Sequence, residues 1–555
     1  MARLLFVALL ILSSVFVKAQ DDSYWYLVKF SDKLYNEYSL DNPSEFMSQR
    51  AIDRRERYDI PFDVSDLPIS TSYKIDVANL GAQIRNEIKW FNTLIIIVDD
   101  QAIADQIAEL DFVSSVVPAN KPEWSKGSGD KFDFEMKSIQ EASIKSSSSI
   151  DELDYGMADN QIRMLNGQVL HNEGYKGEGM VIAVLDAGFK NANLLAPLAP
   201  LFDNNQILST KNYVYQQEDV YAEQNHSHGT SVLSTMGANV PGQMIGTAPN
   251  ASYHLIVTED RGAETLMEEY FWVDGAEYAD SVGADVINSS LGYTIFDYPA
   301  DSHNYYTDLD GDTAPVTRGA DLAAAKGMII CNSAGNSGSS EWHFIGAPAD
   351  ADSIITVGAV DLDGYFASFS SYGPSADGRV KPNLVAKGFM ATLVDAYGNI
   401  TEGNGTSFSS PILAGAVACL WQVNQDLSNM EIIDKLQASA SQFNSPDDEL
   451  GYGIPNMETA LGMVLSVDEY PQNHIIKLVS NPVKEELIIR FDIDSTDKFD
   501  FKIVDMNGRL VFQTSKEVFA KTNLYLPLSK GLKTGVYVLI VQSENRFDKI
   551  NFVKN

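Results

Sequence analysis

Cysteine is almost missing from this chain: only Cys331 and Cys419 occur in 555 residues. Two are too few for a disulfide framework, and both lie in apolar surroundings, so buried free thiols are expected rather than a bridge. Basic charge is also scarce. Lys and Arg total 40 against 76 Asp and Glu, a formal net charge of −36. That balance argues against nucleic acid and anionic membrane surfaces as partners and reads as a solubility feature of a secreted protein. Low-complexity stretches are few, and 45% of residues are hydrophobic, which points to globular folding throughout. Beyond the N-terminal leader no run reaches the roughly 20 apolar residues of a spanning helix, so no transmembrane helix is expected in the mature protein.

What is present begins with that leader. Residues 1–19 carry Arg3, an apolar run from Leu4 to Val17 and the close Val17-Lys18-Ala19, a secretory signal peptide with cleavage expected before Gln20. No cysteine follows the cleavage site, so a lipid anchor is not expected. The length suggests about three further domains. From Asp21 to about Asn120 an α+β segment is predicted: a strand at Trp25–Phe30, an exposed Arg- and Glu-rich helix at Phe46–Tyr58 and a strand at Phe91–Val98. A helix at Ala102–Leu110 and a strand at Phe112–Val117 complete it. The polar stretch Ser143–Ser149 reads as a flexible link and a natural place for a processing cut.

Strands and helices then alternate, which predicts a parallel sheet covered on both faces. Met180–Leu185 is a continuous apolar run ending at Asp186-Ala187-Gly188, so a carboxylate stands at the carboxyl end of a central strand. Alone, such an aspartate is a cap or turn former. His228 precedes Gly229-Thr230 and a small-residue helix, whereas His226 reads as a loop residue. Asp285–Gly292 ends in a stretch suited to pairing with an extended peptide. Gly327–Asn336 ends in an asparagine on a Gly-flanked turn. Gly405-Thr406-Ser407 leads into a buried helix through Ile412–Ala418, with Pro411 in its first turn. Ser407 is thereby placed where a helix dipole favours negative charge. Asp308, Asp310 and Asp312 offer oxygen ligands for a structural calcium ion and equally suit a solvated turn. After residue 466, about seven short alternating strands predict a β-sandwich.

Asp186-Ala187-Gly188, His228-Gly229-Thr230, Ser333-Ala334-Gly335-Asn336 and Gly405-Thr406-Ser407 resemble the four active-site blocks of subtilisin-like serine proteases, in that family's chain order. The resemblance covers roughly residues 155–465. It implies an α/β fold and a secreted serine endopeptidase acting through an acyl-enzyme. Ser407 would be nucleophile, His228 base and Asp186 the group orienting it, with the Asn336 amide and the Ser407 N–H as oxyanion donors. Ser290, Leu291, Gly292, Ser333, Ala334 and Gly335 would wall an uncharged pocket floored by Gly346, suited to large apolar side chains. No cofactor is required for that chemistry. Ala187 and Ser231 depart from the family pattern without removing a reacting atom.

The segment ending Phe112–Pro118 resembles the inhibitory propeptide of secreted subtilisins, whose carboxyl end would lie in the cleft like a product and pair with Ser290–Gly292. Asn481-Pro482, Asp505–Val511 and Gly535-Val536-Tyr537 resemble the C-terminal sorting domain of type IX secretion cargo in Bacteroidetes. The expected organisation is therefore signal peptide 1–19, propeptide 20–150, peptidase 151–466 and sorting domain 467–555. Peptide substrates, the chain's own propeptide and the type IX secretion machinery would be its partners, and its location secreted or cell-surface. The rival reading is a non-catalytic cell-surface binding protein on the same scaffold.

Overall fold

The computed structural model describes residues 23–122, 131–132, 135, 153–216, 219–465 and, with short gaps, the strands between 476 and 554. The leader and the Ser143–Ser149 link lie outside the described residues. The chain divides into two compact units between Val464 and Leu465.

The centre of the first unit is a seven-stranded sheet. Its order is Leu384–Lys387, Ile355–Val360, Ile329–Ser333, Val286–Ser289, Val181–Asp186, Ser252–Val257 and Ile207–Asn212. Every neighbouring pair is parallel. Val181–Asp186 is buried along its whole length, as its unbroken apolar run requires for a strand covered on both faces. Adjacent residues of Val286–Ser289 show where the covering helices lie. Asn288 Oδ1 accepts a hydrogen bond from Ser410 of the Thr406–Val423 helix at 2.9 Å. Ser289 Oγ accepts one from Trp272 of the Leu266–Val282 helix at 2.9 Å. Successive strand residues face opposite ways, so the two helices cover opposite faces.

Thr406–Val423 is, among the described residues, the one helix long and apolar enough to cross a bilayer, a length the sequence reading had not allowed for. Its residues from Thr406 to Trp421 are buried, and it is the core helix of the sheet. Pro411 is its sixth residue, not part of its first turn. The missing proline N–H leaves the Ser407 carbonyl without a helical donor. Ser290 Oγ supplies the bond instead, at 2.8 Å. Cys331 and Cys419 are buried free thiols, and burial pushes both pKa values up.

Ahead of the peptidase fold, an antiparallel sheet runs in the order Gln83–Ile88, Thr93–Val98, Tyr24–Phe30, Val113–Ala119. Tyr26, Val28 and Phe30 pack on Tyr73 and Val77 of helix Thr71–Asn79 and on Ala104 and Ile107 of helix Gln101–Ala108. Trp25, Ile88, Trp90 and Ile95 instead join the peptidase core. After Thr93 the strand is apolar throughout, Leu94 to Val98, because both its faces are covered. The Thr71–Asn79 helix and Gln83–Ile88 strand were not predicted.

The helix predicted as exposed is Gln49–Arg57, and it is docked. Arg54 pairs with Asp280 and donates to the Ala284 carbonyl, while Arg55 bridges Asp66 and Asp280 at 2.9 Å each. Asp280 and the Ala284 carbonyl lie at the C-terminal end of the Leu266–Val282 helix, where cations are favoured. Farther along the same helix, Asp274 accepts from Asn86 Nδ2 at 2.8 Å. Glu277 accepts the backbone N–H groups of Lys89 and Trp90 at 2.9 and 2.8 Å.

The second unit holds strands Ile476–Leu478, Glu486–Phe491, Asp497–Asp505, Leu510–Val518, Asn523–Pro527, Gly535–Gln542 and Phe547–Lys554. They form one three-stranded and one four-stranded antiparallel sheet. Leu487, Ile489, Phe491, Phe499, Phe501, Ile503, Leu539, Val541 and Phe552 make its own apolar core.

Candidate active site

Asp186 is the last residue of its strand, and His228 opens the helix His228–Gly237. Gly229 lets that helix start against the strand end: a Cβ there would stand 2.5 Å from Gly188 O and 2.9 Å from Asp186 Cβ. The approach brings His228 Nδ1 to 2.8 Å from Asp186 Oδ1, with both side chains fully buried. Ser407, 3% exposed, is the second residue of its helix. Asn336 Oδ1 accepts from the Thr406 N–H at 2.9 Å and the Thr406 hydroxyl at 3.0 Å, which leaves its Nδ2 as a donor toward the cleft. Thr406 is a positioning residue that sequence reasoning did not single out.

Between these groups lies Glu135, from the segment before the peptidase fold. Its Oε2 is 2.7 Å from His228 Nε2. Its Oε1 accepts from Ser407 Oγ at 2.8 Å and from Asn336 Nδ2. The serine hydroxyl thus donates to Glu135, not to the imidazole. Oε1 thus bridges the Ser407 hydroxyl and the Asn336 amide. Gly405 makes room: a Cβ there would be 3.0 Å from Glu135 Cδ. Phe132 closes the other side, its ring stacked on His228 with centroids 4.2 Å apart. Burial alone would lower the His228 pKa, but Asp186 and Glu135 outweigh it and raise it to about 10. The imidazole is therefore charged at neutral pH while Glu135 is in place, and an imidazolium cannot accept the serine proton.

The sequence expected a chain end in the cleft, paired with Ser290–Gly292. That chain end, near residue 150, lies outside the described residues; among the described residues the Glu135 side-chain carboxylate meets Ser407, and no strand pairing to Ser290–Gly292 occurs.

Ser290, Leu291, Gly292, Ser333, Gly335, Asn336, Gly346 and Ser407 line one cavity of about 290 Å³. Ala334 is turned away, buried with Ile345 and Ala349, because alternate residues leaving a strand face opposite sides. Gly346 has Thr294 Cγ2 and Tyr293 O at 3.0 and 3.1 Å from a built Cβ. Lys131, Glu259 and Glu264 border another part of the same cavity and bring charge to it. Asp308, Asp310 and Asp312 do not gather into a metal-binding cluster. Asp310 accepts from the N–H groups of Asp312 and Thr313 at 3.0 and 2.9 Å, and Asp308 accepts from the Asn304 N–H at 2.7 Å. The Asp308 and Asp310 carboxylates thus serve local turns.

A family model described as the Subtilase family matches residues 177–453. Subtilisin DY of Bacillus licheniformis is 31% identical over 303 residues, 54% of this chain and 97% of the relative. The chain belongs to the subtilase family. Subtilisin E of Bacillus subtilis (strain 168) is 30% identical over 302 residues, covering 54% of this subtilase and 70% of the relative. Serine protease AprX of the same strain is 27% identical over 320 residues, 53% and 68% of the two chains. A model for the peptidase S8 propeptide domain of Bacteroidota matches residues 25–131, and one for a secretion system C-terminal sorting domain matches 480–555. This subtilase is a serine endopeptidase made as a precursor, and its sorting domain marks it for secretion or the cell surface.

Proposed function

We propose that Ser407 is the nucleophile, His228 the general base and Asp186 the carboxylate that holds the imidazole tautomer and stabilises the imidazolium. The Asn336 amide and the Ser407 N–H are the oxyanion donors. One observation carries this reading: a single carboxylate, Glu135, meets Ser407 Oγ, His228 Nε2 and Asn336 Nδ2 together, so the three groups converge on one point. Once Glu135 has left, Ser407 Oγ donates to His228 and attacks the peptide carbonyl. The imidazolium then protonates the leaving amine, and water, deprotonated by the same imidazole, hydrolyses the acyl-enzyme. No cofactor enters these steps.

Mature enzyme is expected to hydrolyse casein and to take up an alkyl fluorophosphonate on Ser407, located by peptide mass mapping. The precursor should label far more slowly. A mature protein that neither cleaves nor labels supports the non-catalytic binding reading.

The domain limits follow the same reading. Residues 20–150 are removed as the propeptide by a cut in the Ser143–Ser149 link, 151–466 form the peptidase and 467–555 address the chain to type IX secretion. The second unit has its own apolar core, so it can travel alone. Fused to a fluorescent protein behind a signal peptide, residues 466–555 should carry it across the outer membrane of a host with that system. Cargo left in the periplasm would overturn the assignment.

A further inference from the structure

Three glutamates reach one place from three elements. Glu259 follows the Ser252–Val257 strand, Glu264 lies in the next loop, and Glu268 is the third residue of the Leu266–Val282 helix. Glu268 is fixed there by a capping box with Thr265, its Oε2 accepting the Thr265 N–H at 2.7 Å. Glu259 Oε2 accepts from the Tyr293 hydroxyl at 2.8 Å. Their carboxylate oxygens lie within 4.8 Å of one another, and Glu259 and Glu268 are buried. Burial pushes all three pKa values up, that of Glu264 to about 7.

A second observation says what such a cluster takes. The Lys131 ammonium sits among the three, 2.7 Å from Glu264 and 3.2 Å from Glu268, and also pairs with Glu259. Lys131 is anchored by its backbone N–H to Arg261 O at 3.3 Å. It precedes Glu135 by four positions, so the segment that fills the catalytic centre also fills this pocket. Lys131, Glu259 and Glu264 border the same cavity as Ser407. Removing the propeptide removes the ammonium and leaves three carboxyl groups in one buried place without their cation, an arrangement that a new cation would restore to its ionised form.

We propose that Glu259, Glu264 and Glu268 form a recognition pocket for a lysine or arginine side chain of the substrate, about two to four residues from the scissile bond. The spacing follows from the Lys131–Glu135 separation and from the turn between them, where the Glu135 N–H donates to Phe132 O at 3.0 Å. An extended substrate, at about 3.3 Å per residue, covers the same distance in fewer positions. The proposal rests on the peptidase reading above. The sequence reading of an uncharged pocket describes only the Ser290–Gly346 part of the cleft.

The test uses mature enzyme obtained from the full chain and internally quenched peptides of one parent sequence. Lys, Arg, norleucine or Glu is placed in turn at each of the positions flanking the cleaved bond. At one position Lys or Arg should raise kcat/KM roughly thirtyfold or more over norleucine, as expected for a buried charge pair, and Glu should depress it. In Glu259→Gln and Glu268→Gln enzymes the Lys-to-norleucine ratio at that position should fall toward one. No basic preference at any position, with norleucine peptides cleaved, overturns the proposal even if the variants do not fold. So does a preference that survives both substitutions, or calcium binding that abolishes it in the parent enzyme. Failure to cleave every peptide counts instead against the peptidase reading.

Discussion

Mature enzyme carrying Ser407→Ala should turn over peptide roughly a millionfold more slowly than the parent, the size of effect known for loss of the nucleophile in subtilisin. The argument is chemical. Without Oγ no acyl-enzyme forms, and His228 has nothing to deprotonate except water. The oxyanion donors remain, because Asn336 is held by Thr406 and not by Ser407. A residual rate above that of water is therefore expected. Binding should survive, so KM should move little while kcat collapses. The variant precursor cannot process itself and must be matured by a trace of parent enzyme, then freed of it, before initial rates are compared. Near-parental turnover would remove Ser407 from the mechanism.

Glu135→Ala should weaken inhibition of the mature enzyme by its separately added propeptide about thirtyfold to several thousandfold. That is the range for truncating one partner of a buried, hydrogen-bonded charge pair. The side chain is 6% exposed and satisfies three groups at once. Glu135→Gln keeps the shape and loses the charge, so it should fall between the two. The distinguishing readout is the imidazole. With Glu135 absent, Asp186 is the one carboxylate bonded to His228 among the described residues, and the imidazole's NMR titration in the complex should move down from about 10. An inhibition constant unchanged by both substitutions would mean that the sheet and the docked arginines do all the inhibiting.

The proposed site was legible because its candidate residues punctuate strong local patterns. Asp186 ends an apolar strand, and Ser407 opens an apolar helix. What escaped the sequence was polar and distant. Glu135, Glu259, Glu264 and Glu268 are four acids in a chain of net charge −36, indistinguishable by composition from solvated ones. The Thr265–Glu268 spacing of a capping box was a signal for one of them that the sequence reading did not use. Arg54 and Arg55 gave their helix an exposed look because their partner Asp280 lies some 225 positions away. The Gln83–Ile88 strand lacks apolar alternation for a like reason. Its Asn86 and Arg85 are turned to the peptidase domain, Arg85 donating to the Tyr213 and Val214 carbonyls at 3.0 and 2.7 Å.

The carboxylates under that strand make maturation a proton-releasing event. Burial beneath the propeptide raises the pKa of Asp274 to about 7 and that of Glu277 to about 8. In water, carboxyl groups of this kind titrate near 4. Between those limits the closed precursor holds protons that the separated halves do not. Affinity is then fully present below the ordinary carboxylate range and is lost as pH rises through about 8. Inhibition constants for the added propeptide, measured from about pH 5 to about pH 9, should rise steadily, and a flat profile would refute the linkage. Buffers of differing ionisation heat should register the same protons calorimetrically. By this linkage an alkaline exterior should favour separation of the cleaved halves without any change in sequence.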